Sequence, residues 1–313
     1  MEATMQQNLP FETRLNLPLG ENSKLDTILE KRAHVGEVTV SAPLGPEELI
    51  WQADYFQLEQ TVFFKNLNEA AQFRILKTLN MELLTEIFFI ERCGMYYAAK
   101  MGLLAESAKE RAMFGIMSGD ESLHYLWVSS ICGPMDPDAY KHQSFLKFLD
   151  AVLLEEDKNI LIAVIQVILE GWGLRHYRKL ADFSHHQNAT TALRQIIKDE
   201  AYHHGAGLIL FDAEKQTRQK DQRLTDILKE FFDMIRCGPQ RVLASVENEV
   251  GRLNQNQRLV FFESLRGYES AQENLTFLKG LLQSTKISKS ILSALDETNR
   301  FTPFTTREFA DFI

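Results

Sequence analysis

The sequence predicts an all-α protein, and three observations carry that prediction. Proline is absent from Glu47 to Gly133 and again from Asp138 to Gly238, so nothing interrupts long helices there. Gly-Pro occurs at Gly45-Pro46, Gly133-Pro134 and Gly238-Pro239, where a glycine cap ends one helix and a proline opens the next. Between these marks apolar residues recur at spacings of three and four, as in Leu84, Ile87, Phe88 and Met95 and in Ile160, Ala163, Val167 and Leu174, while no series of alternating strands occurs.

The same pattern places helices, in order, near Glu47 to Leu67, Glu69 to Met101, Ala105 to Ser130, Tyr140 to Asp157, Asn159 to Asp182, Thr190 to Lys215, Asp221 to Arg236, Gln240 to Leu253, Asn256 to Leu282 and Ser288 to Asn299. Residues 1–44 read as an irregular arm. No low-complexity tract or linker divides the rest, so residues 45–313 are expected to form a single helical domain.

Composition limits the function. A net charge of -9 and a pI near 5.5 lack the basic footprint that phosphate contacts require, which argues against nucleic acid as the main ligand. The longest charge-free apolar run, Ile160 to Leu169, is shorter than a membrane span. The first residues lack a secretory pattern, and Cys93, Cys132 and Cys237 have no paired spacing, so a reducing cytoplasm is expected.

The chemistry is carried by glutamates sunk in apolar sequence. Glu91 follows Ile87-Phe88-Phe89-Ile90, Glu170 follows Val167-Ile168-Leu169, and helical spacing puts each on an apolar face. An ionised carboxylate there would cost several kcal/mol to bury alone and should be protonated, paired or metal-bound. Either one alone is better explained by a polar helix edge or a basic partner.

A shift of 79 residues relates the two. It superposes Glu91 on Glu170, Gly94 on Gly173, Lys100 on Lys179, Asp120 on Asp199, Glu121 on Glu200 and His124 on His203. Each copy thus contains a lone glutamate followed by Asp-Glu-x-x-His. Chance alone gives about one carboxylate-x-x-His among eight histidines and three occur, Asp182 with His185 being the third, so the repeat rather than the motif is specific. Residues three apart share a helix face, which lets Glu121 and His124, and likewise Glu200 and His203, hold one ion.

Four glutamates and two Glu-x-x-His histidines in this arrangement resemble the ferritin-like di-iron and di-manganese carboxylate proteins. The resemblance covers about residues 69–215. It implies a four-helix bundle, here with extra N- and C-terminal helices, in which Glu121 and Glu200 bridge two metals, Glu91 and His124 complete one site, and Glu170 and His203 complete the other. Oxygen and imidazole donors suit two iron ions, with manganese or a mixed pair as the alternative. Asp120 and Asp199 are expected to orient the ligating imidazoles, as carboxylates beside metal-bound histidines do. His34, His142, His176, His185, His186 and His204 match no ligand position.

The implied activity is an oxidase or oxygenase that uses dioxygen and an electron donor to oxidise a small organic substrate by hydroxylation, N-oxygenation or desaturation. The alternative is a ferroxidase or metal-handling protein, and a helical interaction protein with a vestigial site is a third class. Val128 stands where the ribonucleotide reductase small subunit has its radical tyrosine, and Met95 and Leu174 stand where multicomponent monooxygenases place a threonine in one copy. Gly94 and Gly173 leave space on the ligand faces, either for close helix packing or for substrate, and Gly205 and Gly207 raise the same choice. The additional helices are expected to wall a substrate pocket or to form a homodimer interface through Phe261, Phe262, Phe277 and Leu278.

Overall fold

The computed structural model describes residues 43–136 and 138–312. The expected arm falls outside them but for Pro43 and Leu44, as does His34. Among the described residues there are twelve α-helices and no strand. They are α1 (Val62–Lys65), α2 (Glu69–Leu104), α3 (Ala108–Cys132), α4 (Ser144–Leu153), α5 (Lys158–Asp182), α6 (Gln187–Leu210), α7 (Arg218–Arg236), α8 (Gln240–Val250), α9 (Gln255–Ser264), α10 (Gly267–Gln283), α11 (Lys289–Glu297) and α12 (Thr306–Asp311).

The chain divides into two compact units. One contains Thr85–Leu154, and the other contains Pro43–Leu84 with Glu155–Ile313. In the first, the C-terminal part of α2 meets α3 through Phe88 and Tyr125, with ring centroids 5.3 Å apart, and through Tyr97 and Phe114. Ser107 caps α3 by accepting from the Glu110 amide, and Gly133, at φ 68°, ends it. That glycine is the stop the Gly-Pro reading predicts. On α4, Leu146, Phe148, Leu149, Val152 and Leu153 are buried, and the Lys100 ammonium donates to the Leu153 carbonyl.

In the second unit α5 and α6 pack along their lengths, with α7 and α10 against α5. Asp157 starts α5 by accepting from the amides of Asn159 and Ile160. By length and composition α5 could cross a membrane, but 61% of its most apolar window is buried within the protein. Its apolar side chains therefore serve internal packing. Farther on, Arg258 is buried with a two-pronged hydrogen bond to Glu247 and a third to the Ala310 carbonyl, which ties α8, α9 and α12 together.

Three expectations need correction. Glu47 to Leu67 is not one helix but a run of turns, a 3-10 turn at Leu58–Gln60 and the single turn α1. Its polar backbone is engaged elsewhere: Asn80 Oδ1 accepts from the amides of Ile50 and Trp51, Asn80 Nδ2 donates to the carbonyls of Trp51 and Leu76, and the His185 amide donates to the Ile50 carbonyl. Asn256 to Leu282 is two helices, broken at Arg266, whose left-handed backbone at φ 49° cannot continue a right-handed helix. Phe261, Phe262 and Leu278 are fully buried, so these three pack in the core rather than at a dimer surface, while Phe277 is half-buried against Trp172.

Replacing Asn80 by alanine leaves the Ile50 and Trp51 amides buried without their acceptor. Urea unfolding is expected to show a loss of about 3 kcal/mol. A loss below about 1 kcal/mol would mean that water or another group takes over these bonds.

Candidate metal clusters

Each unit holds one three-residue cluster of metal-ligand type. In the first, α2 supplies Glu91 and α3 supplies Glu121 and His124, one turn apart. All three are buried, His124 completely. His124 Nδ1 lies 3.2 Å from Glu91 Oε2 and 3.8 Å from Glu121 Oε2, and the donor atoms of the three fall within 4.8 Å of one another. In the second, α5 supplies Glu170 and α6 supplies Glu200 and His203. His203, also fully buried, points Nδ1 at Glu200 Oε2 across 3.5 Å, and these donor atoms too lie within 4.8 Å of one another.

Two carboxylates and one imidazole in such a space suit a cation. Like charges this close, both removed from water, oppose each other's ionisation, and a divalent ion removes that conflict while ordering the donors. The donor set of oxygen and imidazole nitrogen matches iron, manganese or zinc, and lacks the thiolates that soft metals prefer.

Gly94 shows that the first cluster is built around its carboxylate. A Cβ at this position would overlap the Glu121 carboxyl group. The glycine therefore makes room for the Glu121 carboxyl group, so of the two alternatives close packing accounts for Gly94 and a substrate opening does not. Gly173, its counterpart under the 79-residue shift, is different: a Cβ there meets only Tyr177 Cδ2, at an ordinary 3.9 Å. Gly205 has open space, whereas Gly207 abuts Gln166 and Gly171 abuts Leu281 and His204.

The glutamate of the second cluster follows an irregularity absent from the sequence reading. From Ile162 to Leu169 α5 is a π-helix, and the Glu170 amide donates to the Ile165 carbonyl five residues back rather than to Gln166. The Gln166 carbonyl instead accepts from His204 Nδ1 at 2.9 Å, and Gln166 Nε2 donates to the His203 carbonyl at 3.0 Å. A lone amide in the run Ile160 to Leu169 was the one sequence signal of this site.

Asp120 and Asp199 are half-buried, and Asp199 accepts from Gln195 Nε2 with both oxygens at 3.1 Å. Among the other histidines, His186 caps α6 through Nδ1, and His142 and His185 are exposed. Sequence reading also passed over Asp150, fully buried on α4. Burial first, and then the Asp150 charge, pushes the adjacent Cys93 thiol well above its usual range, so Cys93 stays protonated and packs as an apolar side chain.

The C-terminal helices do wall a cleft, of about 900 Å³, which includes Tyr55, Trp172, Arg175, Lys179, Arg266 and Glu273. Its lining is charged. On α5 the cleft residues Arg175 and Lys179 lie roughly opposite Glu170 around the helix, at about 100° per residue, so this cleft opens away from the ligand face.

Comparison of the chain with protein-family models, with curated proteins and with solved structures finds no match.

The two glycines give a paired test. Gly94→Ala is expected to displace Glu121 and weaken metal binding at least about 10-fold, the scale seen when a ligand's support is removed. Gly173→Ala should bind metal as the parent does and unfold at the same or slightly higher temperature, since alanine favours a helix by up to about 1 kcal/mol over glycine. Isothermal titration with ferrous or cobaltous ion, beside thermal unfolding, distinguishes the two; unchanged binding by Gly94→Ala would remove Glu121 from the ligand set.

Proposed function

We propose that the chain is a di-metal oxidoreductase of the ferritin-like kind, which uses dioxygen and an external electron donor to oxidise a small organic substrate. The observation that carries this reading is that both copies of the Glu and Glu-x-x-His pattern bury their donors as compact clusters with imidazole Nδ1 turned toward carboxylate oxygen. Two unrelated structural glutamates would have no reason to recur with the same histidine geometry.

In this reading, which the ferritin-like resemblance implies, Glu91, Glu121 and His124 together with Glu170, Glu200 and His203 would hold two ions as one centre. Four carboxylates balance two divalent cations, so the loaded centre is neutral with both imidazoles uncharged, which suits its apolar surroundings. Bound iron would supply the redox chemistry with dioxygen that no side chain provides. The protein's part is to hold the donors, to keep bulk water from them with the buried residues Phe88, Met117, Val167 and Ile196, and to orient the imidazoles through Asp120 and Asp199.

Anaerobic loading with ferrous iron is expected to give about two ions per chain. Magnetic coupling between them, read by Mössbauer or electron paramagnetic resonance spectroscopy, and an optical change on exposure to oxygen should follow. Glu121→Ala combined with Glu200→Ala should abolish both. Two uncoupled ions would overturn the shared centre, and many turnovers of added ferrous iron without an organic substrate would replace the oxygenase by a ferroxidase. Asp120→Asn and Asp199→Asn should keep the fold and weaken affinity or activity by about 10–100-fold; variants that load like the parent would remove the orienting role.

A further inference from the structure

We propose that Gln166 and His204 form a clasp that fixes the π-helical register of α5 and thereby positions Glu170 beside Glu200 and His203. The proposal rests on the metal reading above and adds two positioning residues that belong to no ligand pattern.

A π-helical segment accommodates one residue more than an α-helix over the same rise, so everything after it is turned by about 100° relative to an uninterrupted α-helix. Glu170 is the first residue after Ile162–Leu169. If that segment relaxed to α-helix, Glu170 would rotate off the ligand face. The π form also passes over a carbonyl, because the Glu170 amide bonds to Ile165 and leaves the Gln166 carbonyl to find a donor elsewhere. A buried carbonyl in an apolar helix needs one.

His204 is that donor. Its Nδ1-H reaches the Gln166 carbonyl at 2.9 Å, while the Gln166 side chain, fully buried, returns a bond of 3.0 Å from Nε2 to the backbone carbonyl of His203, itself a ligand residue. The two bonds run in opposite directions between the same two stretches of helix. Both stretches are cut to fit: a Cβ at Gly207 would overlap Gln166, and a Cβ at Gly171 would stand 3.0 Å from His204 Cε1 and 2.9 Å from Leu281 Cδ2. Two glycines, a glutamine and a histidine thus converge on one carbonyl. A generic helix contact requires none of them.

The first copy of the repeat serves as an internal contrast. The residues 79 positions before Gln166, Gly171, His204 and Gly207 are Ile87, Arg92, Tyr125 and Val128, which could not build the clasp, and the helix there is α throughout Glu69–Leu104. The clasp accompanies the π segment and is absent where that segment is absent.

The test uses the full chain with His204→Phe, which keeps a ring and loses the donor, His204→Gln, which can still donate, and Gln166→Leu. Two readouts are needed: hydrogen exchange of peptides covering 162–170, and cobaltous-ion titration followed by visible absorption. His204→Phe and Gln166→Leu should exchange faster in 162–170 and bind one of about two ions about 10–100-fold more weakly. His204→Gln should restore both readouts. Parent-like exchange and binding in His204→Phe and Gln166→Leu would overturn the clasp, as would equal loss in His204→Gln. If the parent and Glu170→Ala alike bind no cobalt, the metal reading fails; faster exchange in His204→Phe but not His204→Gln would still uphold the clasp as the lock on the register, and unchanged exchange would overturn it.

Discussion

Charge inside apolar helices is the constraint on which the rest of this structure depends. Glu91, Glu121, Glu170 and Glu200 are all buried on helices whose other inward residues are mostly apolar. Removing one carboxylate from water costs several kcal/mol even after the protein relaxes, and a protein's whole stability is of the order of 10 kcal/mol. Four such groups are tolerable only when something is gained by keeping them. A cation held by carboxylate and imidazole, as in the centre proposed above, would give that return, and it accounts for the histidines whose Nδ1 faces Glu91, Glu121 and Glu200.

Once the carboxylates are fixed, nearby small residues and irregular backbone acquire reasons. Gly94 is small because the Glu121 carboxyl group occupies the space its Cβ would fill. Gly207 is small because α5 must approach closely enough for Gln166 to reach the His203 carbonyl. The π segment before Glu170 is an unfavourable backbone form at a place where a regular helix would aim the side chain elsewhere, the circumstance in which such segments are retained.

What sequence reveals here follows from the range of the interaction. The all-α class and the ends of α3 and α7 were legible because they depend on residues a few positions apart, including Gly133 and Gly238, both at φ 68°. The pairing of Glu121 with His124 and of Glu200 with His203 was legible for the same reason, since a separation of three fixes a common face. Glu47 to Leu67 was misread because its backbone bonds go to Asn80, about 30 residues away, and no local pattern announces that. Gly94 and Gly173 look alike in sequence because spacing gives direction and not distance; only the packing shows that one borders a carboxylate and the other an ordinary tyrosine contact. The α12 turn could have been found: Thr305 and Glu308 form a reciprocal cap written plainly as Thr-x-x-Glu.

The repeat is symmetric in its candidate ligands and asymmetric in what supports them. The first cluster relies on a regular helix, a vacancy at Gly94 and aromatic packing of Phe88 on Tyr125, whereas the second relies on a π segment, a reciprocal pair of hydrogen bonds and two close-packed glycines. Tyr125 and His204 are equivalent under the shift, so the position that contributes an aromatic face in one copy contributes a hydrogen-bond donor in the other. Identical ligand sets held by unlike supports need not be equally stiff. A carboxylate backed by packed side chains resists displacement through many small contacts, while one placed by a backbone irregularity is held by a few directional bonds that can break together. Any inequality between the two ion positions would then originate in Gln166, His204 and their glycines rather than in the six donors, which the repeat makes alike.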